Sequence, residues 1–173
     1  GNFQKNIDII SKNYKSAVEK GADLVVFPEM SITGYPPQDL LNNKEFISQN
    51  ISCLNELAQS ITIPCILGYV DFEDNKKFNA AAVCQDGEIV YKYHKIHLPN
   101  YDVFDERRYF HSGDSVGIFD LKVNNSDYKI ALQICEDLWE DEYERKISGE
   151  IIENNPDLII NISASPFAKD RKI

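Results

Sequence analysis

Three side chains that can take part in amide hydrolysis each follow a short apolar segment of this chain. They are Glu29, Lys95 and Cys135, and the segments before them are residues 24–28, 89–94 and 130–134. In α/β sheets the carboxyl ends of strands line the binding crevice. If the three strands run in the same direction, we expect a carboxylate, an amine and a thiol to converge on one sheet edge. Those are the groups that amide hydrolysis requires.

The expected chemistry is attack of the Cys135 thiol on an amide carbonyl. A free cysteine has a pKa of about 8.5, so little thiolate exists at neutral pH. Glu29 would accept the thiol proton and return it to the departing amine, while Lys95 and the backbone N–H of Glu136 would stabilise the oxyanion. Because Lys95 favours the thiolate and Glu29 opposes it, we expect a shared proton, not a permanently ionised sulfur.

Each of these residues alone also fits a structural interpretation. A lone cysteine is most often a buried packing residue, and residues 128–139 by themselves favour that reading. A glutamate or lysine after a strand is most often a solvated loop residue. The remaining cysteines, Cys53, Cys65 and Cys84, are predicted to be core or interface filler.

Hydrophobic periodicity predicts a mixed α/β domain that would position these side chains. Helices are predicted over residues 3–18, ending near Gly21, and over residues 43–59, and the polar connection 140–154 is also expected to be helical. Strands are predicted over residues 23–27, 64–70, 78–84, 88–93, 116–123, 128–134 and 158–162. A long loop, residues 98–115, is rich in aromatic and charged side chains, and loops of that length are usually functional when they are ordered.

Composition excludes several classes of function. The 173 residues are 43% hydrophobic and 27% charged, as in a soluble single domain, and the net charge of -10 without a basic run argues against nucleic acid or an anionic membrane as partner. The four cysteines lack C-x-x-C spacing, and His94 and His97 have no further ligands at fitting spacing, so no metal site is expected. No apolar segment approaches the ~20 residues of a membrane helix. We expect a reducing, cytoplasmic compartment.

The segments around the three candidate residues resemble the nitrilase (carbon–nitrogen hydrolase) superfamily, which has a Glu-Lys-Cys triad. They are residues 27–30 (Phe-Pro-Glu-Met), 94–101 (His-Lys-Ile-His-Leu-Pro-Asn-Tyr) and 134–139 (Ile-Cys-Glu-Asp-Leu-Trp). Residues 98–110, together with 135–139, are more specifically similar to the glutaminase domain of glutamine-dependent NAD⁺ synthetases. The similarity extends to the segment 163–167 (Ser-Ala-Ser-Pro-Phe).

This resemblance implies a nitrilase-like α-β-β-α sandwich with mixed sheets, and it assigns roles to individual residues. Glu29 would be the base, Lys95 the oxyanion stabiliser, Cys135 the nucleophile and Glu106 a second acid that orients the lysine. Glu136 would pair with the α-ammonium group of glutamine. The residues implied to line the glutamine pocket are Tyr35, Phe104 and Ser163. For Tyr35 a structural plug is a fair alternative, and Trp139 fits a pocket wall and a core plug equally well.

The family's domains have a strand before the first helix and further strands after Ser163, so we expect residues 1–173 to be one hydrolase domain that is incomplete at both ends. The resemblance implies a homo-oligomer whose ammonia feeds an NAD⁺ synthetase domain, on the same chain or on a partner. ATP and Mg²⁺ are expected only there, and no cofactor is expected for the glutaminase domain. The alternatives are a stand-alone nitrilase-class amidase acting on an ω-amide or N-carbamoyl compound, and a non-catalytic interaction domain of the same fold.

Overall fold

Asparagine caps begin both long helices of the computed structural model, which describes residues 1–165. Helix α1 (Phe3–Glu19) starts after Asn2, whose side chain accepts a hydrogen bond from the Lys5 N–H. Helix α2 (Lys44–Gln59) starts after Asn43, which accepts from two backbone N–H groups of its first turn. Such caps satisfy donors that a helix start leaves without partners. Both predicted helices are confirmed, and Gly21 follows α1 with a φ of 80°.

The described strands form two mixed sheets. The first sheet has the order β1 (Val25–Val26), β2 (Cys65–Glu73), β3 (Lys76–Gln85) and β4 (Glu88–His94), with β1 parallel to β2 and the remaining neighbours antiparallel. The second sheet has the order β5 (Gly117–Val123), β6 (Ser126–Ile134) and β7 (Leu158–Ile162). In it β5 and β6 are antiparallel, and β6 and β7 are parallel.

Alternating side chains of the first sheet divide the interior into two cores. Leu67 and Tyr69 of β2 face α1 and α2, where they join one apolar cluster. Ile66 on the opposite face of the same strand packs in a second cluster with Leu132 and Ile134 of β6. The layers are therefore a helix pair, the first sheet and the second sheet, while helix α3 (Ile147–Glu153) adds its first residue to the second core. This arrangement confirms the predicted mixed α/β sandwich.

Two hairpins have two-residue connections, which are shorter than the predicted strand bounds indicated. Strands β2 and β3 are joined by Asp74 and Asn75 alone, with φ values of 50° and 60°. Strands β5 and β6 are joined by Asn124 and Asn125, with φ values of 48° and 64°. Two consecutive residues with positive φ match the twist of a two-residue hairpin, and Asn and Asp tolerate that conformation best.

The predicted helix over residues 140–154 is wrong in its first half, since only Ile147–Glu153 is helical. The segment 140–146 forms turns in which Tyr143 donates to the Glu136 carboxylate and Arg145 pairs with Glu150 at 2.7 Å. Four carboxylates within residues 140–144 would repel one another in a helix, so these tertiary contacts prevail. The sequence pattern also missed three short 3₁₀ helices, which are Gln38–Asn42, Glu106–Arg108 and Cys135–Leu138. Among residues 1–165, no helix has the length and apolar character needed to cross a membrane.

Gly68 in β2 allows the backbone around Glu29 to lie against the first sheet. A Cβ atom at this position would be 2.4 Å from both the Pro28 carbonyl oxygen and the Met30 nitrogen. Backbone atoms cannot yield as a flexible side chain can, so we expect Gly68→Ala to lower the free energy of unfolding by about 1–3 kcal/mol. It should also slow any reaction in which Glu29 takes part, because Glu29 would be displaced.

Gly149→Ala is the matched control, since a Cβ atom there meets nothing within 4 Å in helix α3. Alanine should be neutral or slightly stabilising at that helical position. Urea unfolding and steady-state kinetics of both variants test the expectation. Equal stability and turnover for the two variants would contradict a close approach at Gly68.

Candidate active site

Lys95 is a fully buried lysine held between two carboxylates. Its side chain has 0% exposure, and its Nζ lies 2.9 Å from Glu29 Oε1 and 3.0 Å from Glu106 Oε1. Burial alone would lower the pKa of Lys95, but the charges of Glu29 and Glu106 outweigh it, and the net shift of the pKa is upward. The ammonium therefore stays charged at neutral pH, as an oxyanion stabiliser would need to be.

Glu106 has three further contacts that hold it against Lys95. Its second oxygen also accepts from Lys95 at 3.1 Å, Tyr35 donates its hydroxyl at 3.0 Å, and Asn79 donates its amide at 3.2 Å. Burial raises the pKa of Glu106, while Lys95 and the Asn79 amide act in the opposite direction. Tyr35 is thus a hydrogen-bonding partner of the cluster and its ring also packs against the first core, so the pocket-lining role and the structural alternative both stay predictions.

Asn79 bridges both carboxylates and was not identified from the sequence. Its amide nitrogen lies 2.7 Å from Glu29 Oε1 and 3.2 Å from Glu106 Oε2, and the residue is completely buried in β3. Its backbone carbonyl also accepts from the Lys95 N–H at 2.8 Å. The available signal was an amide side chain inside the otherwise apolar segment 78–84.

The three candidate side chains meet between two sheets, so the expectation of a single sheet edge is wrong. Strands β1 and β4 both run parallel to β2, and they carry Glu29 and Lys95 at the same end of the first sheet. Cys135 follows β6, which lies between β5 and β7 in the second sheet. Face-to-face packing of the sheets brings its thiol close enough to Glu29 and Lys95 for both to shift its pKa.

Cys135 occupies a strained turn and is buried more deeply than its place at a strand end suggested. Its φ is 47°, in the left-handed region that a non-glycine residue adopts only when its surroundings enforce it. The residue is 5% exposed, and its Sγ lies 3.4 Å from Ser165 Oγ, which in turn contacts Ser163 Oγ at 2.9 Å. The Ser165 hydroxyl therefore connects the hydroxyl of Ser163 to the sulfur of Cys135.

The charge state of Cys135 follows from this environment. Burial raises the pKa of the Cys135 thiol, and Glu29 raises it further. Lys95 and the hydroxyls of Ser163 and Ser165 lower it, without reversing the net upward shift. The resting sulfur therefore keeps its proton at neutral pH. Glu29 is fixed in this environment by a further contact, since its other oxygen accepts from the Ala164 N–H at 2.9 Å.

Glu136 lies on the other side of the turn, at a wide cavity. Its carboxylate is 4% exposed and accepts from Tyr101 at 2.9 Å and from Tyr143 at 3.1 Å. The cavity has a volume of about 700 Å³. Residues that line it include Asn100, Tyr101, Arg107, Glu136, Trp139 and Tyr143. Since Trp139 is 58% exposed, it is a wall of this cavity and not a core plug.

Phe104 links the cavity to the Lys95 cluster. Its ring centroid lies 5.6 Å from that of Tyr101 and 6.4 Å from that of Tyr35. An aromatic series therefore runs from the Glu106 carboxylate to the Glu136 carboxylate. The structure thus brings together the implied pocket residues Tyr35, Phe104 and Glu136. Tyr101 was missed, although it lies in the aromatic loop that drew attention in the sequence, and Pro166 and Phe167 lie outside the described residues.

The histidines on either side of Lys95 do not converge. His94 lies 3.0 Å from Asp71 Oδ2, and His97 stacks on Tyr143 with a centroid distance of 4.0 Å. Asp71, Glu73 and His94 do place ligand atoms within 4.8 Å of one another. The ammonium of Lys92 already contacts both carboxylates of this group, at 3.1 and 3.0 Å, so a cation of the protein itself pairs with the cluster.

Comparisons with known proteins agree on one family. A family model described as carbon–nitrogen hydrolase matches residues 1–169. The chain is 40% identical over 172 residues to a glutamine-dependent NAD⁺ synthetase of Thermotoga maritima, and this match covers 96% of the chain but 28% of that protein. The chain therefore spans less than a third of this relative.

Solved structures give the same result. A glutamine-dependent NAD⁺ synthetase from Acinetobacter baumannii, in complex with ADP, superposes with a TM-score of 0.86 at 29% identity, over 97% of this chain and 31% of that one. An amidase from Nesterenkonia superposes with a TM-score of 0.78 at 21% identity, over 97% of this chain and 62% of that one, which shows a shared fold.

Proposed function

Because this chain belongs to the carbon–nitrogen hydrolase family, we propose that it hydrolyses the side-chain amide of glutamine to glutamate and ammonia. The observation that carries the proposal is the buried ammonium of Lys95, held between Glu29 and Glu106 and close enough to the Cys135 thiol to shift its pKa. This cluster contains a nucleophile, a base and a fixed positive charge in one water-poor place, as covalent amide hydrolysis requires.

The reaction proceeds in two halves. Glu29 takes the thiol proton while Cys135 Sγ bonds to the amide carbon, and the carbonyl oxygen becomes an oxyanion beside the Lys95 ammonium. When the carbon–nitrogen bond breaks, the protonated Glu29 gives its proton to the nitrogen, and ammonia leaves a glutamyl thioester. Water then attacks the thioester with Glu29 as base, the carbon–sulfur bond breaks, and glutamate and the thiol are restored.

Lys95 contributes because its charge is fixed before the reaction begins. Glu106 anchors the ammonium with both oxygens, and Asn79 and Tyr35 anchor Glu106. The ammonium therefore does not need to reorganise when the oxyanion forms. A preorganised donor of this kind lowers a barrier by roughly 3–4 kcal/mol.

Glutamine is the proposed substrate because Glu136, which follows Cys135 in the chain, offers a buried carboxylate at the wide cavity. Two tyrosine hydroxyls now donate to Glu136. An α-ammonium group would displace them or bind the carboxylate beside them, and its hydrogen bonds would be stronger because they are charge-assisted. Phe104 and Tyr35 would flank the aliphatic part of the substrate, and Ser163 would contact it near the sulfur.

The ammonia is proposed to serve NAD⁺ synthesis from deamido-NAD⁺ at a synthetase domain on the same polypeptide. This part of the proposal is supported by the names of the relatives and by the 28% of the Thermotoga protein that the chain spans. ATP and Mg²⁺ would act in that domain, and the glutaminase part would need no cofactor. We also propose that the protein is a homo-oligomer located in the cytoplasm.

Substrate selectivity of the full-length protein tests this function. We expect kcat/KM for glutamine to exceed that for a simple ω-amide without the α-ammonium group by at least about 100-fold. In the complex with the simple amide, the Glu136 carboxylate would stay buried without a cationic partner. Ammonia release is measured with glutamine and with matched amide and N-carbamoyl substrates, and glutamate release is measured with glutamine. Equal or better turnover of those compounds would replace the proposal with a stand-alone amidase.

A further inference from the structure

Asp137 is a buried carboxylate that contacts the ends of strands from both sheets. It has no exposed surface, and its Oδ1 accepts from the backbone N–H groups of Ile96 at 3.1 Å and His97 at 2.8 Å. Its Oδ2 accepts from the backbone N–H of Ile134 at 2.9 Å and from the Tyr93 hydroxyl at 2.8 Å. None of the steps described above uses this residue.

The residues that supply these four donors lie within two positions of Lys95 or Cys135 in the chain. Ile96 directly follows Lys95, and Ile134 directly precedes Cys135. We propose that Asp137 is a positioning residue that ties the chain after Lys95 to the turn carrying Cys135, and thereby sets where the ammonium lies relative to the sulfur. The effect of the distance between the Lys95 ammonium and the Cys135 sulfur on catalysis rests on the proposed function, but the role of Asp137 in setting that distance does not.

The two sheets need such a connection. Strand β4 pairs with β3, and β6 pairs with β5 and β7, so within residues 1–165 no strand ladder links the end that carries Lys95 to the end that carries Cys135. Apolar packing between the sheets is non-directional and leaves small shifts inexpensive, whereas hydrogen bonds to a carboxylate have narrow geometry. Asp137 supplies four of these bonds at the required place.

The conformation of Cys135 also requires support. A non-glycine residue in the left-handed region is strained by roughly 1–3 kcal/mol and persists only where its surroundings enforce it. Asp137 holds the Ile134 N–H on one side of Cys135, and it belongs to the 3₁₀ helix Cys135–Leu138 on the other. The same carboxylate therefore restrains the strained turn and the Lys95 segment.

The variant Asp137→Asn keeps the side-chain volume and removes one of the two acceptor oxygens. Its amide group could accept from one pair of donors but would turn an NH₂ group towards the other pair. If Lys95 then moves away from Cys135, the sulfur loses the charge that lowers its pKa, while burial and Glu29 continue to raise that pKa. Alkylation of Cys135 should therefore require a higher pH.

The experiment measures the rate of iodoacetamide alkylation of Cys135 against pH in the full-length protein, with peptide mass spectrometry to identify the site. We expect Asp137→Asn to move the alkylation profile upward by about one pH unit, which is about a tenfold loss of rate at a fixed pH below the pKa. The value of kcat for glutamine should fall by a similar or larger factor, with a smaller change in KM. An unchanged alkylation profile in a folded Asp137→Asn variant would overturn the proposal.

Two further variants make the test specific. Asp71→Asn changes another buried carboxylate, which contacts Lys92 and His94, so it should reduce stability without moving the profile. A shift equal to that of Asp137→Asn would show a general effect of lost stability and overturn the proposal. If Asp137→Asn does not fold, Tyr93→Phe tests the proposal instead. It removes one hydrogen-bond donor to Asp137, so it should shift the alkylation profile of Cys135 in the same direction by a smaller amount. No shift in Tyr93→Phe would then count against Asp137.

The alkylation readout separates this inference from the proposed function. If the wild-type protein released no glutamate from glutamine while the Asp137→Asn shift was still observed, the glutaminase proposal would fail and the positioning role would stand. If glutamine was hydrolysed and the Asp137→Asn profile was unchanged, the reverse would hold.

Discussion

Cys135→Ala is expected to abolish the glutamine-driven activity of the full-length protein, with a loss of at least about ten-thousandfold in kcat. The reason is that alanine cannot form the thioester, and no other described cysteine can replace it. Cys65 and Cys84 are fully buried in the first sheet, and Cys53 lies in helix α2. Synthesis of NAD⁺ from deamido-NAD⁺ with free ammonia should continue, because ammonia bypasses the hydrolytic step.

The comparison of the two nitrogen sources is the internal control for Cys135→Ala. Initial rates with saturating glutamine and with saturating ammonium chloride are measured on the same preparation. A parallel loss with both sources would mean that the substitution damages the whole protein, and the assignment of Cys135 to the hydrolytic step would be wrong.

Lys95→Met should remove both activity and stability. Methionine has nearly the same length but no charge, so Glu29 and Glu106 would face each other in the interior without a cation. Leaving a buried ionic group without its partner costs about 3–5 kcal/mol. The loss of the oxyanion donor should in addition lower kcat by about 100- to 1,000-fold.

The stability deficit of Lys95→Met should depend on pH. Burial and the Glu29 charge already raise the pKa of Glu106, and removing Lys95 removes the main opposing charge. A carboxyl group whose folded pKa lies above its unfolded value stabilises the protein when protonated, and that contribution is lost as pH rises through the folded pKa. The deficit relative to wild type should therefore be larger at about pH 8 than at about pH 5 in urea unfolding.

Lys92→Met is the matched control, since Lys92 lies in the same sheet but its side chain is 39% exposed. The Lys92 and Glu73 side chains are both partly exposed to water, and the buried Asp71 keeps His94 as a partner, so the deficit should be no more than about 1 kcal/mol. Adding Glu106→Gln to Lys95→Met should restore part of the stability but none of the activity. Equal deficits for the two lysine variants would contradict the view that Glu29 and Glu106 depend on Lys95.

The sequence singled out Glu29, Lys95 and Cys135 as candidates because each follows an apolar strand segment, and their catalytic roles remain proposals. It also predicted the long helices and the last strand, whose patterns are local. It could not show that Cys135 comes from a second sheet, because that depends on which strands pair. The sulfur also contacts Ser165, thirty residues later in the chain, which a local pattern cannot show.

Asn79 and Asp137 were missed for a related reason. Each is a common polar residue whose meaning arises only from partners that are distant in the chain, such as Glu29, fifty residues from Asn79, and His97, forty residues from Asp137. A buried amide in an apolar strand is a weak signal by itself. The predicted helix at residues 140–146 failed because Tyr143 and Arg145 form tertiary contacts that outweigh helix propensity.

The most direct measurement locates the adduct of a glutamine-like electrophile, 6-diazo-5-oxo-norleucine, on the full-length protein by peptide mass spectrometry. The account predicts one adduct on the sulfur of Cys135, formed rapidly, slowed by glutamine and strongly slowed in Lys95→Met. Modification of Cys53, Cys65 or Cys84 at a comparable rate, or labelling of Cys135 that glutamine does not slow, would contradict a glutaminase site at this position.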